Sequence, residues 1–278
     1  MKKIRIIVTG SKGMLAQDLI PLLSKYEVYA FDRAALNVTN KKQVEEAIFQ
    51  LRPHYVMNCA GFTNVDAAEI NPDCYTANAI AVHHIVRACD KVKARLYHFS
   101  TDYVFDGASA KFYGETSGRN PINHYGRSKM LGEVALESSE GNHALVRIQW
   151  LFGKSGTNFV KKILELASDG RENINVVCDQ FGRPTSTPLL SKAILYLLNE
   201  RYSGKVHVGA SNYCNWYDFA AEIIKKAKKN VAVVPCSSDL YPRPASRPKF
   251  GVLDVSLAQQ MDVPMYSWQE HLSDYLES

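Results

Sequence analysis

Ile4-Arg5-Ile6-Ile7-Val8-Thr9-Gly10-Ser11-Lys12-Gly13-Met14-Leu15-Ala16 decides the fold. Ile4 to Val8 reads as a strand, Gly10 to Gly13 as a turn, and Met14 to Ser24 as a helix. Glycines allow positive φ and let the backbone approach a ligand closely. The helix N-terminus offers unpaired N–H groups and the positive end of a dipole to a pyrophosphate. The spacing is Gly-x-x-Gly-x-x-Ala, with Ala16 where a third glycine often stands. Strand, turn and helix in this order predict a dinucleotide site made by Gly10, Ser11, Lys12, Gly13, Met14 and Leu15.

The same rhythm continues to residue 150. Glu27 to Phe31, Tyr55 to Cys59, Leu96 to Phe99 and Ala144 to Ile148 read as strands. Lys41 to Leu51, a long stretch from about Pro72 to Asp90, and His124 to Leu136 read as the helices between them. Near-continuous apolar strands separated by helices imply a parallel sheet covered on both faces. Right-handed crossovers make that an α/β, doubly wound parallel sheet of the Rossmann kind. Beyond Trp150 the rhythm loosens. Helices are expected near Asn158 to Ala167, Leu189 to Asn199 and Trp216 to Ala227, with strands at Ile174 to Cys178, Val206 to Val208 and Val231 to Val234. Gly182, Pro184 and Pro188 mark Asp179 to Pro188 as a loop, and Pro242, Pro244 and Pro248 mark a second. The expected organisation is a dinucleotide-binding domain over 1–150, completed by parts of 174–210. A smaller, interleaved substrate-binding lobe takes most of 151–278.

The chain has 278 residues, of which 46% are hydrophobic and 22% charged, with a formal charge of +5. These are ordinary values for a globular protein. The cations are scattered, and Lys225-Lys226-Ala227-Lys228-Lys229 reads as the wet end of a helix, so no nucleic-acid partner is expected. Lys2-Lys3 precede an apolar run that stops at Thr9-Gly10, too short for a signal peptide or a membrane span. The six cysteines, Cys59, Cys74, Cys89, Cys178, Cys214 and Cys236, include no zinc-type pair. Buried thiols in a reducing cytoplasm are the simplest reading, and no metal ligands are expected.

Asp32 ends the second strand, where a carboxylate can hold the hydroxyls of an adenosine ribose and favour NAD. Arg33 and Lys12 can hold a 2′-phosphate and favour NADP. Both cofactors stay open, with the balance toward NADP. Tyr125-Gly126-Arg127-Ser128-Lys129 places a phenol and an ammonium on one helical face. A neighbouring cation favours phenolate, so the pair suits proton exchange with a bound molecule. Alone the pattern is common on solvated helices; the glycine turn is what gives it weight.

Together these motifs resemble the extended short-chain dehydrogenase/reductases, and within them the dTDP-4-dehydrorhamnose reductase family. Asn58-Cys59-Ala60-Gly61, Thr63 to Glu69, Ser100 to Gly107, Tyr125 to Lys129, Arg147, Trp150, Asp179 to Thr185, Trp216 to Phe219 and Arg247-Pro248 carry the resemblance nearly end to end. It implies hydride transfer from NADP(H) or NAD(H) to the C4 ketone of a 6-deoxy-4-keto sugar nucleotide. It implies Tyr125 as proton donor, Lys129 as the group that holds the nicotinamide ribose and lowers the phenol pKa, and Thr101 as a hydrogen-bond donor to the carbonyl oxygen. Ala60, Gly61, Thr63 and Ser100 would line the cofactor, with Asn37 and Val38 near the adenine. Asp102 and Tyr103 would touch the sugar, and Trp150 would stack on the sugar or its base. Arg183, Arg243 and Arg247 are candidates for the substrate diphosphate, with Arg247 the best of them. Asn37, Ile148-Gln149 and Arg183 depart from the family pattern, and the last two leave the exact sugar open. Some relatives form homodimers through magnesium, with no ligands identifiable here. The rival readings are a reductase or epimerase of another nucleotide sugar, and a non-catalytic NADP-binding subunit like the methionine adenosyltransferase β subunit.

Overall fold

The structure is a computed structural model that describes residues 3–277, so Lys2 lies outside the described residues. Its centre is a sheet of six parallel strands. The chain first lays down β1 (Arg5–Thr9), α1 (Met14–Leu22), β2 (Glu27–Phe31), α2 (Lys41–Leu51) and β3 (Tyr55–Asn58). Then come α3 (Asp73–Tyr75), a π turn over Thr76–Ile80, α4 (Ala81–Val92), β4 (Arg95–Thr101), α5 (His124–Glu137) and β5 (Ala144–Ile148). The later part supplies β6 (Leu151–Phe152), α6 (Phe159–Ser168), β7 (Asn173–Val177), β8 (Phe181–Gly182), β9 (Thr185–Ser186), α7 (Thr187–Asn199), β10 (Gly204–His207), β11 (Cys214–Asn215), α8 (Trp216–Lys226), β12 (Ala232–Cys236), α9 (Ser256–Gln260) and α10 (Trp268–Glu277).

The sheet order is β10-β5-β4-β3-β1-β2. Order therefore reverses between β1 and β3, and the crevice at the carboxyl ends of those two strands is where such folds bind ligands. One face buries Ile6, Val8, Leu19, Met57, Val146 and Leu197 beneath α1 and α7. The other buries Ile7, Val44, Val56, Val82, Ile85 and Leu96 beneath α2 and α4. Alternation of Ile6 and Ile7 between the two layers is what a doubly covered strand demands.

Three sequence expectations change. The stretch from about Pro72 to Asp90 is not one continuous helix, because a π turn interrupts it at Thr76–Ile80. Asp179 to Pro188 is not simply a loop. It contains β8 and β9, and Pro188 lies in the first turn of α7, where a missing N–H costs nothing. The strand at Ile174 pairs with β12, away from the main sheet, while β10 pairs with β5. A third core of Phe152, Ile163, Val176, Phe219, Ile223 and Leu272 forms between α6, α8, α10 and these strands.

Candidate active site

The glycine turn closes on the far side of the switch point. Gly10 has φ +64°, and a Cβ there would lie 2.8 Å from Ala60 Cα. The turn can therefore pack against the exit of β3 only because it lacks a side chain. Gly13 donates its N–H to Gly10 O at 2.8 Å and leads into α1. Around this turn lies a cavity of about 640 Å³, lined by Gly10, Lys12, Gly13, Asp32, Arg33, Asn37, Val38, Ala60 and Gly61 among others. Lys12 is ion-paired with Asp32. That contact, with the Ala34 and Ala35 N–H groups, holds the Asp32 carboxyl below its usual range. Asn37 Oδ1 accepts from Thr39 N and Oγ1, which fixes the loop over the cavity. Ser11 lines neither this cavity nor the next, contrary to expectation, and its N–H is spent on Phe31 O at 3.0 Å.

A second cavity, of about 690 Å³, shares Gly13, Cys59, Ala60 and Gly61 with the first. Met14, Leu15, Thr63, Ser100, Thr101, Asp102, Tyr103, Tyr125, Lys129 and Trp150 line it. The fold brings these together in two ways. Ser100 to Tyr103 follow from the carboxyl end of β4, where the 3-10 turn Asp102–Val104 begins. Tyr125 and Lys129 come from the first turns of α5. Its N-cap is Asn123, whose Oδ1 accepts Gly126 N at 2.7 Å and whose Nδ2 donates to Ser246 O at 2.7 Å.

The electrostatics differ from the sequence reading at one point. Lys129 Nζ donates to Phe99 O at 2.5 Å rather than pairing with the phenol. Burial, together with the charge of Asp102, pushes the Tyr125 phenol up to about 12 against a hydrogen bond with Thr101. The expected lowering by Lys129 is thus absent from the folded chain, and the Tyr125 phenol is protonated at neutral pH. Burial brings Lys129 down to about 8, with Glu133 opposing the shift. Burial raises Asp102 to about 7, against a hydrogen bond from Thr101 Oγ1 at 3.0 Å. Cys59 is pushed up to about 12 by burial, so it packs rather than reacts.

The substrate-side residues separate. Trp150 lines the cavity, stacked on Trp216 with centroids 3.5 Å apart and rings 9° from parallel. Its φ is +50°, a conformation uncommon for a large side chain. Tyr103 meets Tyr125 edge to face at 5.5 Å. Arg183 is not in the cavity wall: it is 3% exposed and gives Nε to Leu253 O and Nη1 to Ala210 O. A guanidinium so committed is a buried brace, not a free anion receptor. Arg247 and Arg243 both pair with Asp66, at 2.6 and 3.1 Å. Arg247 lies close enough to Tyr103 to oppose the rise of its phenol pKa. Among the described residues no group of three or more His, Cys, Asp or Glu is placed to hold a metal ion.

Several wall residues stood in the quoted motifs without a role assigned to them. Asn58 bonds Thr9 Oγ1 and His98 Nδ1 at the floor of the cavity. Gln149 is held by Gly251 O and Leu253 N. Trp216 lines the cavity beside Trp150, on which it stacks, a contact no local pattern announces. Asp66 lines neither cavity, but it stands in the same motif as Thr63 and holds Arg243 and Arg247.

Known proteins resemble the chain along its whole length. The family described as RmlD substrate binding domain matches residues 4–278. A dTDP-4-dehydrorhamnose reductase of Aggregatibacter actinomycetemcomitans is 33% identical, covering 97% of both chains. A dTDP-4-keto-6-deoxy-D-glucose reductase of Streptomyces niveus is 35% identical, covering 90% of this chain and 88% of that one. The crystal structure of a dTDP-4-dehydrorhamnose reductase from Bacillus anthracis in complex with NADP superposes with a TM-score of 0.95, at 36% identity and full coverage of both chains.

Proposed function

The chain belongs to the RmlD substrate binding domain family, that of the dTDP-4-dehydrorhamnose reductases, and from that premise we propose that it reduces the C4 ketone of dTDP-4-dehydro-L-rhamnose to dTDP-L-rhamnose. It is an oxidoreductase that uses NADPH or NADH. One observation supports the site assignment: the glycine-turn cavity adjoins the cavity lined by Thr101, Tyr125 and Lys129, the two sharing Gly13, Cys59, Ala60 and Gly61 in their walls.

The residues present fit a dinucleotide. Gly10 lets the turn pack against the exit of β3, so that Gly10 and Gly13 line the cavity where α1 begins, and Asp32, Arg33 and Asn37 line it toward the adenosine end. Lys12 and Arg33 are the cations for a 2′-phosphate, and Asp32 is the acceptor for ribose hydroxyls. When bound, the nicotinamide supplies a hydride. Tyr125 gives the proton that the new alkoxide needs, consistent with a phenol held protonated by burial. Thr101 donates a hydrogen bond to the oxygen on which charge grows. Lys129 holds the nicotinamide ribose. Asp102, Tyr103 and the Trp150–Trp216 stack would enclose the sugar; Arg247 lines neither cavity and spends Nη1 on Asp66 and the Ala245 carbonyl, so it reaches the diphosphate only by leaving Asp66. The six cysteines are all free, which fits a cytoplasmic enzyme. No helix of the described residues is long and apolar enough to cross a membrane.

A second reading, reduction of a different dTDP-4-keto sugar, is favoured by the Streptomyces niveus relative. A panel of 4-keto sugar nucleotides assayed for cofactor oxidation, with product stereochemistry read by NMR, separates the two. The rhamnose reading expects dTDP-4-dehydro-L-rhamnose to have the highest kcat/KM. A higher value for any other sugar replaces it, and oxidation with none of them returns the regulatory-subunit reading.

A further inference from the structure

Helix α5 carries more than the Tyr125–Lys129 pair. One turn beyond Lys129, on the same face, stands Glu133, which is 0% exposed. Arg147 from β5 grips it with two hydrogen bonds, Nε to Oε1 at 2.9 Å and Nη2 to Oε2 at 2.8 Å. Arg119 adds a third, Nη1 to Oε2 at 2.9 Å. Arg147 is itself 1% exposed, lies over the Phe105 ring and bonds His207 Nε2 at 3.1 Å. Burial, with the charge of Arg147 beside it, drives His207 down to about 3, so that imidazole is a neutral acceptor. A buried carboxylate is retained only with such partners. Glu133 is thus a fully buried anion ion-paired with Arg147 and Arg119, one helical turn from the buried Lys129, whose Nζ bonds the Phe99 carbonyl.

We propose that Glu133 is a positioning residue for catalysis: anchored by Arg147 and Arg119 one helical turn beyond Lys129, it keeps that buried side chain charged. This rests on the reading of Lys129 as the group that holds the nicotinamide ribose. Burial works against the ammonium. The titratable and polar groups around it are Glu133 on its own helix, His98 and the Phe99 carbonyl on β4, and, sharing its cavity, Tyr125 and Asp102. His98 is held neutral, well below its ordinary pKa, by burial and by the Lys129 charge. Tyr125 is uncharged at neutral pH. Asp102 acts mainly on Tyr125 and Thr101. Glu133 is the anion whose field favours charged Lys129. Burial alone would raise Glu133, but the hydrogen bonds and charge of Arg147, with Ser100 and Arg119, hold it ionised. The arginines therefore act on Lys129 indirectly, by guaranteeing the charge of the carboxylate behind it.

The test is the pH profile of kcat/KM for the 4-keto sugar nucleotide at saturating NADPH, with thermal melts of each variant. Lys129→Met comes first. If it leaves turnover and profile unchanged, the reading of Lys129 fails, whatever Glu133 does. If it abolishes turnover, Glu133→Gln is decisive. The alkaline limb should move to lower pH by about one unit, the scale of one close opposite charge lost. Glu133→Asp should move it back toward that of the wild type. Should Glu133→Gln fold poorly, Glu133→Gln/Arg147→Gln removes the pair together and should show the same displaced limb. Variants that melt earlier but keep the wild-type limb would make Glu133 a purely structural partner of Arg147 and overturn the proposal.

Discussion

Gly126→Ala should damage catalysis without touching a reacting group. Gly126 sits between Tyr125 and Lys129 in the first turn of α5, and a Cβ there would lie 2.0 Å from Tyr103 O and 3.1 Å from Pro121 Cβ. Ordinary contacts begin near 3.4 Å, so more than 1 Å of separation must open between α5 and the turn after β4. The clash is with backbone, which cannot swing aside as a side chain can. The two segments that must part carry Tyr125 on one side and Thr101 to Tyr103 on the other. Overpacking of this kind costs about 1–3 kcal/mol, and misplacement of a reacting group by about 1 Å can cost about 100-fold in rate. Gly126→Ala should therefore lower kcat by about two orders of magnitude, lower the melting temperature by about 2–10 °C, and leave the dissociation constant for NADPH within about threefold, because the glycine turn at Gly10 is untouched. Stopped-flow oxidation of NADPH, calorimetry and fluorescence titration read the three quantities. Wild-type kcat with an unchanged melting temperature would refute the packing of α5 against Tyr103 and with it the geometry assigned to the site.

Other outcomes follow from the same geometry. Tyr125→Phe should abolish turnover and keep NADPH affinity, since it removes only the proton donor; near-normal kcat would dismiss that role. Asp102 is raised from 3.8 to about 7, so the folded state holds more protons than the unfolded state across that window and stability should fall as pH rises through it. Melting curves should show Asp102→Asn flattening that slope, and an equal slope in the variant would contradict the burial of an ionisable Asp102. Lys12→Ala and Arg33→Ala should raise KM for NADPH more than for NADH by about tenfold, the loss of one charged hydrogen bond to a 2′-phosphate. Equal effects on both cofactors would move those cations away from the adenosine ribose.

Much of this architecture was legible because local and global signals agree. Lys41–Leu51 and Ala144–Ile148 run to the same residues in sequence and structure, since an amphipathic period and a buried apolar run leave little latitude. The glycine turn announced the cavity, and the four-residue spacing announced the paired phenol and ammonium. What stayed hidden depends on tertiary contacts. Arg183 looks like an anion receptor until Leu253 and Ala210 carbonyls claim its donors. The acidity of Tyr125 was misjudged because spacing says nothing of depth, and here burial and Asp102 outweigh any neighbouring cation. The final helix at Trp268–Glu277 opens on the capping box Ser267-Trp268-Gln269-Glu270, a start signal the sequence reading passed over, and its Trp268 and Leu272 complete the third core. Glu133 was visible in principle, since extending the four-residue step beyond Lys129 lands on it.

The most direct test follows an isotope. NADPH deuterated on the transferred position of its nicotinamide is oxidised by the protein with dTDP-4-dehydro-L-rhamnose, and the sugar product is read by NMR. The account predicts deuterium at C4 of dTDP-L-rhamnose in equal amount to the cofactor oxidised. Deuterium at another carbon, or a product without it, would contradict the claim that the Gly10 cavity and the Tyr125 cavity form one reaction site.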